Sequence, residues 1–222
     1  MRIEIQNIKK AFLRHRVLEN ISFSAQGGEC IGILGGNGCG KSTLLSILAG
    51  IQTADGGAFL YEGKDLFHYT RQRAKLVGFV PQGTPLIEEL STLDNLRLWY
   101  SRKEMESQLA GGVLKELGVG EFLRTPVNKL SGGMKKRLSI ACAIAGRPPI
   151  LILDEPTAAL DLVCKQYIAD YIRRYRDSGG IVIIATHDTA EMQLCDRLYI
   201  MKNGVLRPYE YTGDPADIVK EL

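Results

Sequence analysis

Residues Gly35 to Ser42 read G-G-N-G-C-G-K-S, directly after the apolar run CIGIL (Cys30 to Leu34) and directly before STLLSILAG, which ends at Gly50. This is the pattern G-x-x-x-x-G-K-[ST], in the strand-to-helix setting where such a loop functions. Glycine lets a backbone curl until its N–H groups converge, and a helix that follows adds its positive N-terminal end. Together they form a nest for phosphate oxygens. The pattern assigns Gly35, Gly36, Asn37, Gly38, Cys39, Gly40 and Thr43 to the loop and its entry into the helix. Lys41 would reach the β- and γ-phosphates of a nucleotide, and the Ser42 hydroxyl would ligate Mg²⁺.

Such a loop needs a parallel sheet to carry it, and the chain alternates strands with helices. The segments RIEIQNI, CIGIL, VGFV (Val77 to Val80), ILIL (Ile150 to Leu153), IVIIAT (Ile181 to Thr186) and RLYIM (Arg197 to Met201) read as strands. Several are continuous β-branched runs, the pattern of buried parallel strands. From residue 83 to 147 the text turns rich in leucine, lysine and glutamate at helical spacing. This predicts a helical lobe inserted in an α/β core formed by 1–82 and 148–222, all one domain. The segment KQYIADYIRRYRDSGG predicts a helix with a basic last turn followed by glycines, its RRYR a solvated face.

Composition excludes several classes. With 28 Lys plus Arg against 25 Asp plus Glu, the net charge of +3 is small and interspersed, so no nucleic-acid partner is expected. The five cysteines never form a C-x-x-C pair, which argues against a disulfide framework and a zinc site and fits a reducing cytosol. No signal peptide and no membrane-spanning apolar run is present. A role at a membrane requires another chain to hold this one there.

A phosphate loop alone does not choose among kinases, GTPases and transport ATPases. In ILILDEPTAALD an apolar strand delivers Asp154 and Glu155 to its C-terminal end, the edge where parallel sheets bind ligands. Asp154 would hold Mg²⁺ through water, and Glu155 would act as general base toward an attacking water. Alone, an adjacent acidic pair is as readily surface polarity; the loop upstream favours the chemical reading.

The segment LSGGMKKRLSIACAIAGRPP, residues 130 to 149, identifies the resemblance. Here the chain resembles the nucleotide-binding subunit of an ABC transporter, and the motif order agrees along nearly the whole sequence: Phe12, the loop at 35 to 42, VPQ ending in Gln82, LSGG at 130 to 133, Asp154-Glu155, AALD ending in Asp161, and THD with His187. The resemblance implies an α/β P-loop core with a mostly parallel sheet, an N-terminal antiparallel β portion and the inserted helical lobe. It implies ATP and Mg²⁺ as cofactors, with Phe12 stacking on adenine, where strand-end packing is the other reading. Gln82 would sense Mg²⁺ and the attacking water. Ser131, Gly132 and Gly133 would bind the γ-phosphate of ATP held by a second ATPase subunit, identical or homologous, in a head-to-tail dimer. Asp161 would align the two sites and His187 would contact the γ-phosphate and the water. The partners implied are transmembrane permease subunits, and the place is the cytoplasmic, inner face of the cell membrane.

Four positions depart from the commonest family pattern. Gly36 stands where proline is frequent, Cys39 where alanine or serine is usual, Met134 where glutamine is commonest, and Ala158 where a serine hydroxyl is usual. The first three remove no catalytic group, and Cys39 is expected as a reactive thiolate at the foot of the nest unless it faces the core. The run LSGGMKKRLSIA resembles separately encoded exporter subunits of drug and antimicrobial-peptide type, and a C-terminal regulatory domain is not expected after TGDPADIVKEL. Trp99 and Tyr100 are expected in the lobe core rather than beside a groove for a membrane subunit. The alternative function is a soluble ABC ATPase acting on a macromolecular complex; such proteins normally carry two cassettes or a long coiled-coil insertion, and neither is in this sequence.

Overall fold

The computed structural model describes residues 1–13 and 15–221. Its strands sort into two sheets. β1 (Arg2–Phe12), β2 (His15–Gln26), β4 (Gly56–Tyr61) and β5 (Lys64–Asp65) pair antiparallel in the order β2-β1-β4-β5. β3 (Cys30–Leu34), β6 (Val77–Val80), β7 (Ile150–Asp154), β8 (Ile181–Ala185), β9 (Arg197–Lys202) and β10 (Val205–Tyr209) form the second sheet in the order β10-β9-β3-β8-β7-β6. All of its pairings are parallel except that of β10 with β9.

Every residue of β3, β7 and β8 is buried, which explains why these strands read as unbroken apolar runs: both sheet faces are covered. Alternate side chains serve two cores, as the two-residue period of a strand requires. Ile31, Ile33, Ile150, Ile152, Ile181 and Ile183 pack with α1 (Lys41–Ala49) and the antiparallel sheet. On the other face Cys30, Leu151, Leu153, Val182 and Ile184 pack with the helical segments.

Those segments are α3 (Thr92–Arg97), α4 (Arg102–Gly111), α5 (Val113–Glu116) and α6 (Gly132–Ala143), with 3₁₀ turns over Val119–Phe122 and Val127–Lys129. Ser91, Ser101 and Ser131 cap α3, α4 and α6, each side chain accepting a backbone N–H three residues on. The lobe has no core of its own: Leu96, Leu114 and Leu138 share the cluster of Leu151 and Leu153. α2 (Thr70–Leu76), α7 (Leu162–Asp177), α8 (Thr189–Met192) and α9 (Pro215–Glu221) complete the chain. No described helix is long and apolar enough to cross a membrane.

The structure corrects three expectations. Trp99 is not core; the residue is 63% exposed, while Tyr100 is buried and donates to the Ala141 carbonyl at 2.7 Å. Leu96 and Tyr100 lie four residues apart on the inward face, and Trp99 is rotated off it. In RRYR only Arg173 and Arg174 are exposed; the Tyr175 hydroxyl bonds the Pro148 carbonyl and Arg176 reaches Leu194 O at 3.2 Å. The strands β2, β4, β5 and β10 go beyond those expected from sequence, and β1 runs on to Phe12.

Candidate active site

β3 ends at Leu34 and the loop returns into α1 through two left-handed glycines, Gly38 with φ 76° and Gly40 with φ 111°. A side chain at Gly40 would press on Val17 O at 3.0 Å, and one at Gly35 would lie 2.7 Å from Met201 O. Gly36 meets nothing within 4 Å. Lys41 is buried, its ammonium donating to Gly35 O at 2.6 Å and Gly36 O at 3.1 Å. It thus lies along the inside of the loop, where phosphate oxygens are better partners for it than neutral carbonyls. Cys39 is half-buried against the core, its sulfur beside Gly35.

A cavity of about 330 Å³ is lined by Asn37, Gly38, Gly40 to Thr43, Gln82 and Glu155. β7 ends with Asp154, which is buried. Burial pushes its carboxyl above the usual range, a nearby Ser42 hydroxyl bonding it pulls it back, and Glu155 pushes it up again. A buried carboxylate beside a serine hydroxyl, disfavoured in its charged form, is a donor set that a hard divalent cation suits, so these residues fit Mg²⁺.

Glu155 is held in the left-handed region at φ 47°, where its N–H still reaches Ala185 O at 2.9 Å and so extends the β7–β8 ladder. A glutamate rarely adopts this conformation, and such strain gathers at functional sites. One oxygen, Oε2, accepts from the Gln82 amide at 2.9 Å; the other, Oε1, lies 3.3 Å from His187 Nδ1. His187 and Glu155 also border a second cavity of about 370 Å³.

The remaining candidates lie elsewhere. Ser131 and Gly132 are exposed at the start of α6, the Ser131 hydroxyl accepting from Met134 N at 3.2 Å. Asp161 caps α7, accepting from Cys164 N at 2.8 Å, and that N–H holds its carboxyl below the usual range. The two turns touch: a side chain at Gly133 would collide with the Cys164 sulfur and lie 3.9 Å from Asp161 Oδ2. None of these four lines the cavity of the phosphate loop. Phe12, at the end of β1, is 47% exposed with Lys10 Nζ 5.3 Å from its ring centre, so strand-end burial is not its role.

Two polar residues behind the site escaped sequence reasoning. Buried Glu191 accepts from both Thr157 N–H (2.9 Å) and the Thr157 hydroxyl, pinning the turn after Glu155 to α8. Lys136 is buried and donates to the carbonyls of Pro81 and Gln82. The signal for Lys136 was its place on the apolar face of α6 between Ser131 and Leu138, hidden inside a basic run; for Glu191 there was none.

A strand-fed phosphate loop, a buried carboxylate at the end of β7, one strand beyond β8 in the same sheet, and a glutamate poised between an amide and an imidazole define an ATPase of the ATP-binding-cassette class. The family model described as "ABC transporter" matches residues 18–158. A linearmycin resistance ATP-binding protein of Bacillus subtilis (strain 168) is 34% identical over 207 residues, covering 91% of this chain and 67% of that relative. A sulfate/thiosulfate import ATP-binding protein of Pseudomonas syringae pv. tomato is 34% identical over 230 residues, covering 98% and 69%. An ATP-binding cassette solved as a dimer in a post-hydrolysis state with ADP and Pi superposes with TM-score 0.82 at 28% identity, covering 94% of this chain and 98% of that one. The chain belongs to the ABC transporter family and is an ATP-binding, ATP-hydrolysing subunit of transport machinery.

Proposed function

We propose that this chain powers export as one half of a head-to-tail dimer with an identical or homologous ATPase subunit, at the inner face of the cell membrane beneath transmembrane permease subunits. The observation that carries the dimer is the separation of parts. Lys41, Ser42, Gln82 and Glu155 gather around one cavity, while exposed Ser131, Gly132 and Asp161 form a separate turn pair around buried Gly133, with Leu162 and Val163, 84% and 67% exposed, beside them. An apolar pair left in water next to a helix N-terminus that offers N–H groups suits a partner surface bearing phosphate.

In this reading Phe12 stacks on adenine, the loop N–H groups and Lys41 hold the β- and γ-phosphates, and Asp154, Ser42 and Gln82 hold Mg²⁺, which when bound neutralises charge on those phosphates. Glu155 takes a proton from water as the water oxygen bonds the γ-phosphorus and the bond to ADP breaks. His187 and Gln82 orient Glu155 and the water. Ser131 to Gly133 close the partner's site, with Asp161 aligning the pair, and the lobe over 83–147 moves with Gln82. Ile87, Leu98 and Trp99, all exposed, offer the permease an apolar face, Asn95 bonding the main chain of Ile87 and Leu98. Export rests on the resemblance of LSGGMKKRLSIA to exporter subunits; the relatives' names include both resistance and import.

Ser131→Arg tests the split site. It should abolish turnover while leaving ATP affinity within about threefold, because the loop that binds this chain's own ATP is untouched. Loss of binding together with turnover would place Ser131 at its own site and overturn the dimer.

A further inference from the structure

α6 starts at the exposed Ser131–Gly132 turn and carries Lys136 into the protein, where the residue is 4% exposed. Its ammonium donates at 2.9 Å to each of two main-chain carbonyls, those of Pro81 and Gln82. No carboxylate among the described residues lies within ion-pair distance of it. Burial lowers the ammonium's pKa, and the more distant charges of Asp154, Glu191 and Glu155 hold it up. Burying a cation against neutral carbonyls is costly, and an apolar side chain of the same length would fill the space without that cost. What the charge uniquely provides is a two-point grip on the main chain that bears Gln82.

Resting on the reading of the site above, we infer that Lys136 is a positioning residue for Gln82. It fixes the backbone at 81–82 so that the Gln82 amide reaches Glu155 Oε2, and it ties that amide to the helix whose first turn serves the opposite site. Nucleotide at either site is then felt at the other through one rigid element.

The position of Lys135 on the same helix gives a contrast. Its ammonium pairs with Glu88 at 2.9 Å on the surface, a contact of small energetic consequence that touches neither Gln82 nor Glu155.

A double-mutant cycle tests the inference. Lys136→Met keeps length and removes the donors; it should lower kcat for ATP roughly 10- to 100-fold, the effect of a small misplacement of a reacting group, with KM within about threefold. Lys136→Arg, which keeps donors, should recover most of the rate. In a Gln82→Ala background Lys136→Met should have almost no further effect, because both changes remove the same hydrogen bond to Glu155. A merely structural lysine predicts multiplied losses in the double variant, and that result, or an unchanged kcat in Lys136→Met, overturns the inference. If Lys136→Met does not fold, Lys136→Gln is run through the same cycle with the same two outcomes. Trp99, the single tryptophan of the chain, adds a readout free of turnover: its emission should change on saturating Mg-ATP in the parent chain and stay flat in Lys136→Met that still binds ATP; an unaltered response counts against the coupling. Glu155→Gln, measured alongside, tests the site reading itself without involving Lys136, so the two can fail separately.

Discussion

Across 73 residues of chain, the Gln82 amide donates to Glu155 Oε2 at 2.9 Å. The bond joins the last residue of the segment leaving β6 to the first residue after β7, two neighbouring strands, so a small displacement of either strand end is felt at the carboxylate.

Gln82→Ala is therefore expected to slow turnover without weakening binding. Glu155 keeps its backbone but loses one of its two side-chain partners. Steady-state ATPase should show kcat reduced roughly 10- to 100-fold and KM for ATP within threefold; an equal loss in kcat/KM carried entirely by KM would mean that Gln82 binds nucleotide rather than orienting the base.

The loop glycines separate by environment. Gly36→Ala meets open space and lies outside the left-handed region, so it should preserve ATP affinity and stabilise the chain by about 0.5 kcal/mol through the unfolded state. Gly35→Ala drives a methyl to within 2.7 Å of Met201 O and should distort the nest, weakening ATP at least tenfold in equilibrium dialysis. Similar affinities for the two variants would refute the assigned loop geometry.

Asp154 places stability and function in opposition. Its carboxyl titrates above the usual range in the folded chain because burial disfavours the charge. A raised folded pKa means stability is fullest below the unfolded carboxylate's range and falls as pH rises through the folded value. Asp154→Asn should thus raise the melting temperature of nucleotide-free protein at pH 7 by roughly 2–4 °C, what about 1 kcal/mol is worth in a chain of this size, with the gain vanishing toward acid, while Mg-ATP hydrolysis is lost. A lower melting temperature at pH 7 would show that the carboxylate is satisfied without a cation.

The parallel strands and their order of motifs were legible because buried strands must be apolar throughout, so β3, β7 and β8 announce themselves. Of the antiparallel strands β1 was legible as RIEIQNI, and the others hid for physical reasons. β2 loses its alternation at Asn20, which sits at φ 53°, β4 opens with two glycines, and β10 carries Pro208, tolerable only because β10 is an edge strand. Trp99 misled because one helical position separates it from buried Tyr100. At the site, residue types were readable but conformation was not: nothing in DEPT reveals that Glu155 is left-handed, or that Gly133 must be glycine because Cys164, thirty-one positions on in the sequence, lies against it. Pairings across the chain, such as Lys136 with Gln82, appear only when the sheet brings their elements together.

The measurement that bears most directly on the account is the assembly state of Glu155→Gln on size exclusion. Glutamine keeps the hydrogen-bonding shape but cannot take the proton of water, so hydrolysis should slow by roughly 10²- to 10⁴-fold while Lys41 and the loop still bind ATP. With Mg-ATP the variant should elute as a dimer; with Mg-ADP, which has no γ-phosphate to bridge to Ser131 and Gly133 of the opposite chain, it should elute as a monomer, and Lys41→Ala should give no dimer with either. A monomer in saturating Mg-ATP, or hydrolysis by Glu155→Gln at the parent rate, would contradict the shared site and the assignment of its base.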